Sequence, residues 1–193
     1  MLALVGRMGQ EFGSKEALRS RVLAARSAVS EADREALAAV LAARVLALPE
    51  VSSAAVVAAY VGTGTELPTL PLLDALRARG VSVLLPVLLE DGALAWGRYD
   101  GRLVAGRLGL REPASPGASL ASADVVVVPG VAYDASGRRL GRGGGSYDRA
   151  LASLTVPVVA MAPDSEVVEE VPVEPHDRPV DVVVTPTRVL RAR

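Results

Sequence analysis

Cysteine, asparagine and isoleucine are absent from the 193 residues, and lysine, histidine, glutamine, tryptophan and phenylalanine occur once each. Without a thiol, disulfides, thiolate zinc sites and cysteine nucleophiles are excluded. Aromatic residues make up 3% of the chain (Phe12, Trp96, Tyr60, Tyr99, Tyr133 and Tyr147), so the core has to be packed from alanine, valine and leucine. An excess of either charge is lacking too. The 21 Lys+Arg stand against 22 Asp+Glu, a net charge of −1, which argues against a nucleic-acid partner held through phosphate contacts. No stretch reaches about 18 uninterrupted apolar residues, so no membrane span and no membrane partner are expected. The opening MLALVGRMGQEFGSK lacks the long apolar core and cleavage site of a signal peptide, and the expected location is the cytoplasm.

Lys15 is the one lysine among 21 basic residues. Arginine bias of this kind looks like codon drift in a GC-rich genome, which replaces lysine wherever arginine serves equally well. Two readings of Lys15 stand on that ground alone. Either it marks a place where a compact ammonium cannot be exchanged for a planar fork, or it survives by chance at an exposed helix start.

What is present reads as one domain, since about 150 residues per domain is usual. Residues 1–13 read as a candidate disordered N-terminal extension and residues 14–193 as a single domain. Ser14 is a candidate N-cap for a helix from Lys15 to about Ala28, with Lys15 and Arg19 on one face. The stretch SEAD at 30–33 resembles a capping box and starts a second helix that reaches Leu48 and is closed by Pro49. Apolar runs at 54–60, 81–86, 124–130, 156–161 and 180–186 read as strands buried on both faces. A helix is expected from Thr69 and Pro71 to Gly80, another from about Tyr147, and a short helical segment near 163–170. Residues 93–99 read as a strand or hairpin arm, and the Gly- and Pro-punctuated stretch that follows, to about residue 122, as mostly loop. The pattern gives an α/β fold class, a doubly wound and mostly parallel sheet with helices on both faces, in a Rossmann-like three-layer domain. Ligands of such sheets bind beyond the carboxyl ends of the strands, so the loops after Tyr60, Val128 and Val184 are expected to converge.

The stretch RRLGRGGGSYDRAL, residues 138–151, lies between the strand VVVV and a helix start. It is neither a Walker loop nor a dinucleotide fingerprint. Its main-chain N–H groups are free to turn inward as an anion nest, and Arg139 and Arg142 can add paired contacts to phosphate oxygens. Asp148 places a carboxylate where phosphates would lie, as Mg²⁺ requires. The competing reading is a flexible loop in which Asp148 satisfies the helix dipole. Phosphate binding is preferred because it also explains the arginines.

Five stretches, in order, resemble the 5-formyltetrahydrofolate cyclo-ligase family, also called methenyltetrahydrofolate synthetases. KEALR is similar to its K-x-x-x-R opening, YVGTGTELPT to an aromatic strand end followed by E-x-x-T, and GLREP to a glycine and E-P turn. PGVAYDASGRRLGRGGGSYDRAL resembles the family signature, and VPVEPHDRPVDVVVTP its closing stretch. The resemblance implies conversion of 5-formyltetrahydrofolate to 5,10-methenyltetrahydrofolate with ATP and Mg²⁺, in a monomer whose partners are ATP and a reduced folate. It also favours the functional reading of Lys15.

Carried over residue by residue, the resemblance implies that Lys15 and Arg19 contact the ATP phosphates, with Arg19 also near the folate. Arg139, Leu140, Gly141, Arg142, Gly143, Gly144, Gly145, Ser146 and Tyr147 would wrap the nucleotide, and the 142–146 portion would also face the formyl group. Lys15 and Arg142 would be the catalytic cations, Glu66 would orient the pterin with Val61 against it, and Asp148 and Asp181 would hold Mg²⁺. Trp96 is a candidate to pack on the folate, although a lone tryptophan is more often core. Ser146 stands where the family usually has an aromatic residue, so one ring of the pocket is missing. Tyr133 replaces a phenylalanine, and Gly144 fills a slot that is lysine in some members. His176 in EPHDRP could form a base pair with an aspartate, but a histidine in a proline-rich turn is more often structural, as is Asp177. Two alternatives remain open. One is a non-catalytic folate- or nucleotide-binding relative, suggested by Ser146. The other is a sugar-phosphate isomerase on a similar sheet, which leaves Lys15 and Asp181 unexplained.

Overall fold

The structure is a computed structural model and describes residues 14–114 and 116–192. The extension expected at residues 1–13 lies outside the described residues.

Local signals set the helices. Ser14 caps α1 (Lys15–Ser27), its Oγ accepting the Ala17 N–H at 3.2 Å. Ser30 caps α2 (Glu31–Leu46), its Oγ accepting the Asp33 N–H at 3.1 Å and donating to the Asp33 carboxylate at 2.6 Å. Pro49, expected to close that helix, instead opens the single turn α3 (Pro49–Ser52). Its missing N–H costs nothing in a first helical turn.

The centre is a run of valines. After β1 (Val56–Ala58) come α4 (Leu70–Ala78), β2 (Ser82–Leu88), β3 (Leu94–Arg98), β4 (Leu103–Ala105), β5 (Arg111–Pro113), β6 (Pro116–Ala118) and β7 (Val125–Val128). Beyond them lie β8 (Ala132–Tyr133), β9 (Arg139–Leu140), α5 (Ser146–Leu151), β10 (Val158–Met161), β11 (Val182–Val184) and β12 (Val189–Arg191). Eight strands form one sheet in the order β12-β11-β10-β7-β1-β2-β3-β6. The five from β11 to β2 run parallel, and β12, β3 and β6 add antiparallel edges.

Side chains alternate across the sheet as the strand period demands. Val125 and Val127 join Leu41, Val45, Leu72 and Leu76 of α2 and α4 on one face, and Val126 and Val128 join Leu151 of α5 on the other. Both faces are covered and each valine is fully buried, at about 1.5–3 kcal/mol per side chain. The expected fold class is observed.

Three expectations need correction. The region after β3, read as mostly loop, contains β4, β5 and β6, whose three-residue length is too short to show an alternation. Residues 163–170 form one 3₁₀ turn, Asp164–Glu166, rather than a helical segment. The chain after Val184 does not reach the cavity described below: Thr185 accepts from Arg188 N–H and turns the chain into β12.

Counted along the chain, the five parallel strands lie in the order 2-1-3-4-5, so the winding reverses between β1 and β7. In open sheets of this kind a crevice opens at that reversal, beyond the carboxyl ends.

Candidate active site

A cavity of about 510 Å³ occupies that crevice, and the residues that leave β1 and β7 (Tyr60, Val61, Pro129 and Gly130) form part of its wall. Its size is that of a small-molecule site.

The turn after β1 is built by the E-x-x-T residues. Thr69, almost fully buried, donates its hydroxyl to the Tyr60 carbonyl at 2.7 Å and accepts the Gly62 N–H at 3.0 Å. A Cβ on Gly62 would collide with the Leu67 carbonyl. Glu66 closes the turn, its Oε2 accepting the Thr63 N–H at 2.9 Å and hydroxyl at 3.2 Å. Its other oxygen lies 3.1 Å from Arg142 Nε.

The wall after β7 leads into the β8–β9 ribbon and then the glycine loop. Gly143 (φ +103°) and Gly145 (φ +67°) adopt conformations that an L side chain rarely takes. Among the described residues, none of the main-chain N–H groups from Gly141 to Gly145 meets an acceptor. Arg142, Gly143 and Gly144 are exposed, so water can satisfy these donors in the free protein and the row at the cavity stays available to an anion.

Cations surround the loop. Arg19 Nε donates to the Gly141 carbonyl at 2.9 Å. Lys15 Nζ is 2.6 Å from Asp177 Oδ2 and 3.3 Å from Glu174 Oε1. Burial would lower the Lys15 pKa, but the two carboxylates outweigh it and hold the ammonium above its ordinary value. For Asp177, burial acts upward, yet Lys15 and the Glu174 N–H hold its carboxyl below the ordinary value. Arg139 is buried beneath the loop, with Nη2 donating to Asp148 Oδ1 at 2.6 Å and Nη1 to the Pro129 carbonyl at 3.3 Å. The Arg178 N–H reaches the same Asp148 oxygen at 3.1 Å, which brings the 177–178 turn against α5.

The structure therefore brings Lys15, Arg19, Val61, Glu66 and the whole stretch from Arg139 to Asp148 around one cavity, as expected. It does not bring Asp181. That residue sits at the amino end of β11, where its Oδ2 accepts the Val158 N–H at 2.7 Å, and the cavity is at the opposite ends of these strands. The other aspartate on the cavity wall is Asp177, for which the sequence predicts only a turn. Asp177 does form that turn, accepting the Glu174 N–H at 2.7 Å, while facing Lys15. Asp177 and Asp181 lie four positions apart in one stretch, and only the strand direction distinguishes them.

Trp96 is 4% exposed and packs in the core with Ala58, Leu84 and Val126 rather than at the cavity. His176 is largely exposed at the mouth, 3.8 Å from Asp177 Oδ1 and 3.4 Å from Glu174 Oε2, which accords with a turn residue. Sequence reasoning missed the opposite rim. There Leu108, 88% exposed and in the left-handed region at φ +53°, stands with Leu110 and Arg111. Its signal was the leucine between glycines in GRLGL.

Ser146 lines the cavity, but its hydroxyl donates at 2.6 Å to the Gly92 carbonyl in the β2–β3 turn, which Arg149 Nη2 also reaches at 2.8 Å. The residue thus ties the glycine loop to a neighbouring hairpin. Ser146→Ala is expected to raise the ligand concentration for half-saturation a few-fold, since one hydrogen bond contributes about 0.5–1.5 kcal/mol. Ser146→Tyr, which adds a ring but loses this bond, is expected to gain less than the ring alone would give. A gain in folate affinity of more than tenfold (about 1.4 kcal/mol) for Ser146→Tyr would show that the bond does not matter.

Tyr60 and Tyr147 line the cavity, and Tyr133 is buried behind Gly130. Burial holds the pKa values of all four tyrosines in the described residues (Tyr60, Tyr99, Tyr133 and Tyr147) above the ordinary one. A group held up in the folded state releases its proton more readily on unfolding, so the stability it contributes is complete below about pH 10 and falls as pH rises further. Tyrosinate absorbance is expected to appear only together with loss of the helical circular-dichroism signal. Phenolate formation near pH 10 with the helical signal intact would contradict this.

Comparison with known proteins accords with this geometry. The family model of the 5-formyltetrahydrofolate cyclo-ligase family matches residues 11–186. A 5-formyltetrahydrofolate cyclo-ligase from Mycolicibacterium smegmatis is 44% identical over 186 residues, covering 91% of this chain and 95% of that protein. The Escherichia coli K12 protein of the same name is 40% identical over 157 residues, covering 76% and 86%. The solution structure of a 5,10-methenyltetrahydrofolate synthetase from Aquifex aeolicus superimposes with a TM-score of 0.82 at 32% identity, covering 93% of each chain.

Proposed function

The chain belongs to the 5-formyltetrahydrofolate cyclo-ligase family and is a ligase, and from that premise we propose that it closes 5-formyltetrahydrofolate to 5,10-methenyltetrahydrofolate while ATP becomes ADP and phosphate. A formamide carbon is a poor electrophile and its oxygen a poor leaving group. Transfer of the γ-phosphoryl group to the formyl oxygen cures both faults. The folate N10 attacks the formyl carbon, the N10 proton is lost, and the C–O bond breaks with departure of phosphate. No protein nucleophile is needed, which suits a chain with no cysteine. The protein has to position the reactants and neutralise charge.

The observation that carries this reading is the row of unpartnered amides from Gly141 to Gly145, with Lys15, Arg19 and Arg142 around it. The amides would take phosphate oxygens. Lys15 and Arg142 would leave their present carboxylate partners for the nucleotide and neutralise the transferring group. Glu66, released from Arg142 and fixed by Thr63, would then be free to accept from the pterin, with Val61 against it. Leu108 and Arg111 lie at the rim, where the rest of the folate would extend.

For Mg²⁺ the donors are Asp148 and Asp177. Both are hard oxygen ligands that line the cavity, and the Arg178 N–H contact to Asp148 ties the turn that carries Asp177 to α5. Two aspartates would suffice for an ion that takes one or two carboxylates and completes its shell from phosphates and water. Such an ion supplies charge neutralisation on the phosphate oxygens.

The test mixes protein, 5-formyltetrahydrofolate, ATP and Mg²⁺ and follows the near-ultraviolet absorbance of the methenyl product. Product should appear only with ATP, in equal amount to ADP. Absence of both would sink the proposal. Ligand-induced thermal stabilisation without product would favour a binding relative instead.

A further inference from the structure

Helix α1 carries three cations on one stripe, Lys15, Arg19 and Arg26, four and seven residues apart, and the first two have been placed at the cavity. Arg26 lies in the last turn, about 10 Å along the axis from Arg19, and outside the cavity. It is nonetheless the most heavily bonded of the three. Its Nε is 2.6 Å from Glu166 Oε1 and its Nη2 2.7 Å from Glu166 Oε2, a forked pair, and the same Nη2 donates to the Gly130 carbonyl at 2.7 Å. Both side chains are removed from water, at 11% and 6% exposure. Gly130 is cavity wall, and Glu166 stands in the 3₁₀ turn that follows β10. The pair thus joins α1 to the exits of two parallel strands at the rear of the site.

From this we infer that Arg26 and Glu166 are positioning residues: their ion pair, through Gly130, fixes where α1 holds Lys15 and Arg19 over the glycine loop. The remainder of the docking is thin. Only Leu18 and Val22 of α1 are buried, in a small cluster with Val131, Ala132, Leu140 and Val171. Apolar contacts carry no direction, and the other directional ties of the helix, from Lys15 to Asp177 and from Arg19 to the Gly141 carbonyl, are made by the two cations that would have to turn to the nucleotide. A forked guanidinium–carboxylate pair is directional. Stability alone is a poor reason for the pair. Arg26 Nη1 is buried and meets no hydrogen-bond partner among the described residues, and a buried ion pair is often replaced by apolar residues with no loss.

The experiment compares the wild type with Arg26→Met, Glu166→Leu and the double variant Arg26→Met/Glu166→Leu. Each single change strands one buried charge and lowers Tm; the double change strands none, and Tm recovers. In the double variant KM for ATP is expected to stay about 10- to 100-fold above the wild type despite the recovered Tm, since small misplacements of binding groups cost that much. Trypsin, with no ligand present, is expected to nick the double variant after Arg19 or Arg21 and to spare the wild type. Recovery of KM together with Tm would overturn the inference, as would retained resistance to trypsin. The kinetic arm rests on the proposed function. If the wild type uses no ATP, that proposal fails, and the trypsin comparison still decides this one.

Discussion

Lys15→Ala is expected to lower kcat/KM for ATP by about 100- to 1000-fold, the cost of removing one preorganised charge from a transferring group. Tm should barely change, because the Lys15 side chain is 23% exposed and partly open ion pairs contribute little. The split matters: the ammonium is held by Asp177 and Glu174, so a purely structural role would appear in Tm and spare the kinetics. Lys15→Arg should restore only part of the activity, since a planar fork cannot reproduce a compact, mobile charge that moves from two acids to a phosphate. The pair's pH window follows from its shifts. Asp177 is held down, so its contribution is present above about pH 3.9 and is lost as pH falls through the folded value. Lys15 is held up, so its contribution is present below about pH 10.4 and is lost as pH rises through the folded value. The ATP dependence should therefore show no titration of this pair near neutral pH. An unaltered KM for ATP in Lys15→Ala would refute the phosphate role.

Asp148→Asn is expected to have the largest effect on stability. Arg139 is 3% exposed in its side chain, its Nε meets no acceptor among the described residues, and Asp148 is the carboxylate that neutralises it. Removing one partner of a buried pair costs about 3–5 kcal/mol, and at about 2–4 °C per kcal/mol for a chain of this size the melt should fall by roughly 6–20 °C. The melt is measured without Mg²⁺, so that loss of an ion cannot account for it. A separate titration should show a raised Mg²⁺ requirement. Asp177→Asn gives the contrast, with a raised Mg²⁺ requirement and a much smaller change in Tm, because its partner Lys15 is more open to water. A wild-type melt for Asp148→Asn would show that the aspartate has no anchoring role.

Reading the chain alone reached the parallel core and most of the cavity, for definable reasons. Uninterrupted valines such as Val125–Val128 fit a strand covered on both faces, and serines at 14 and 30 announce helix starts. The glycine loop was legible because three consecutive glycines beside arginines are hard to explain otherwise. Asp181 was misplaced because nothing local tells which end of a strand an adjoining aspartate occupies. Asp177 is brought to Lys15 by contacts 162 residues apart in the chain, and Arg26 to Glu166 by contacts 140 apart, separations that no periodicity encodes. The Gly92 acceptor of Ser146 was hidden in the same way, 54 residues away.

The slender seating of α1 has one more consequence. A segment with two buried side chains and otherwise polar ties opens locally at a lower free energy than the valine sheet unfolds. On the proposed function, molecules whose first helix has swung off would lack Lys15 and Arg19 at the nucleotide, and the apparent affinity would be the closed-form affinity scaled by the closed fraction. By mass action, saturating nucleotide should slow amide exchange along this helix by the same factor as in β7, because both openings release the ligand, and far more than in segments whose opening leaves the site intact.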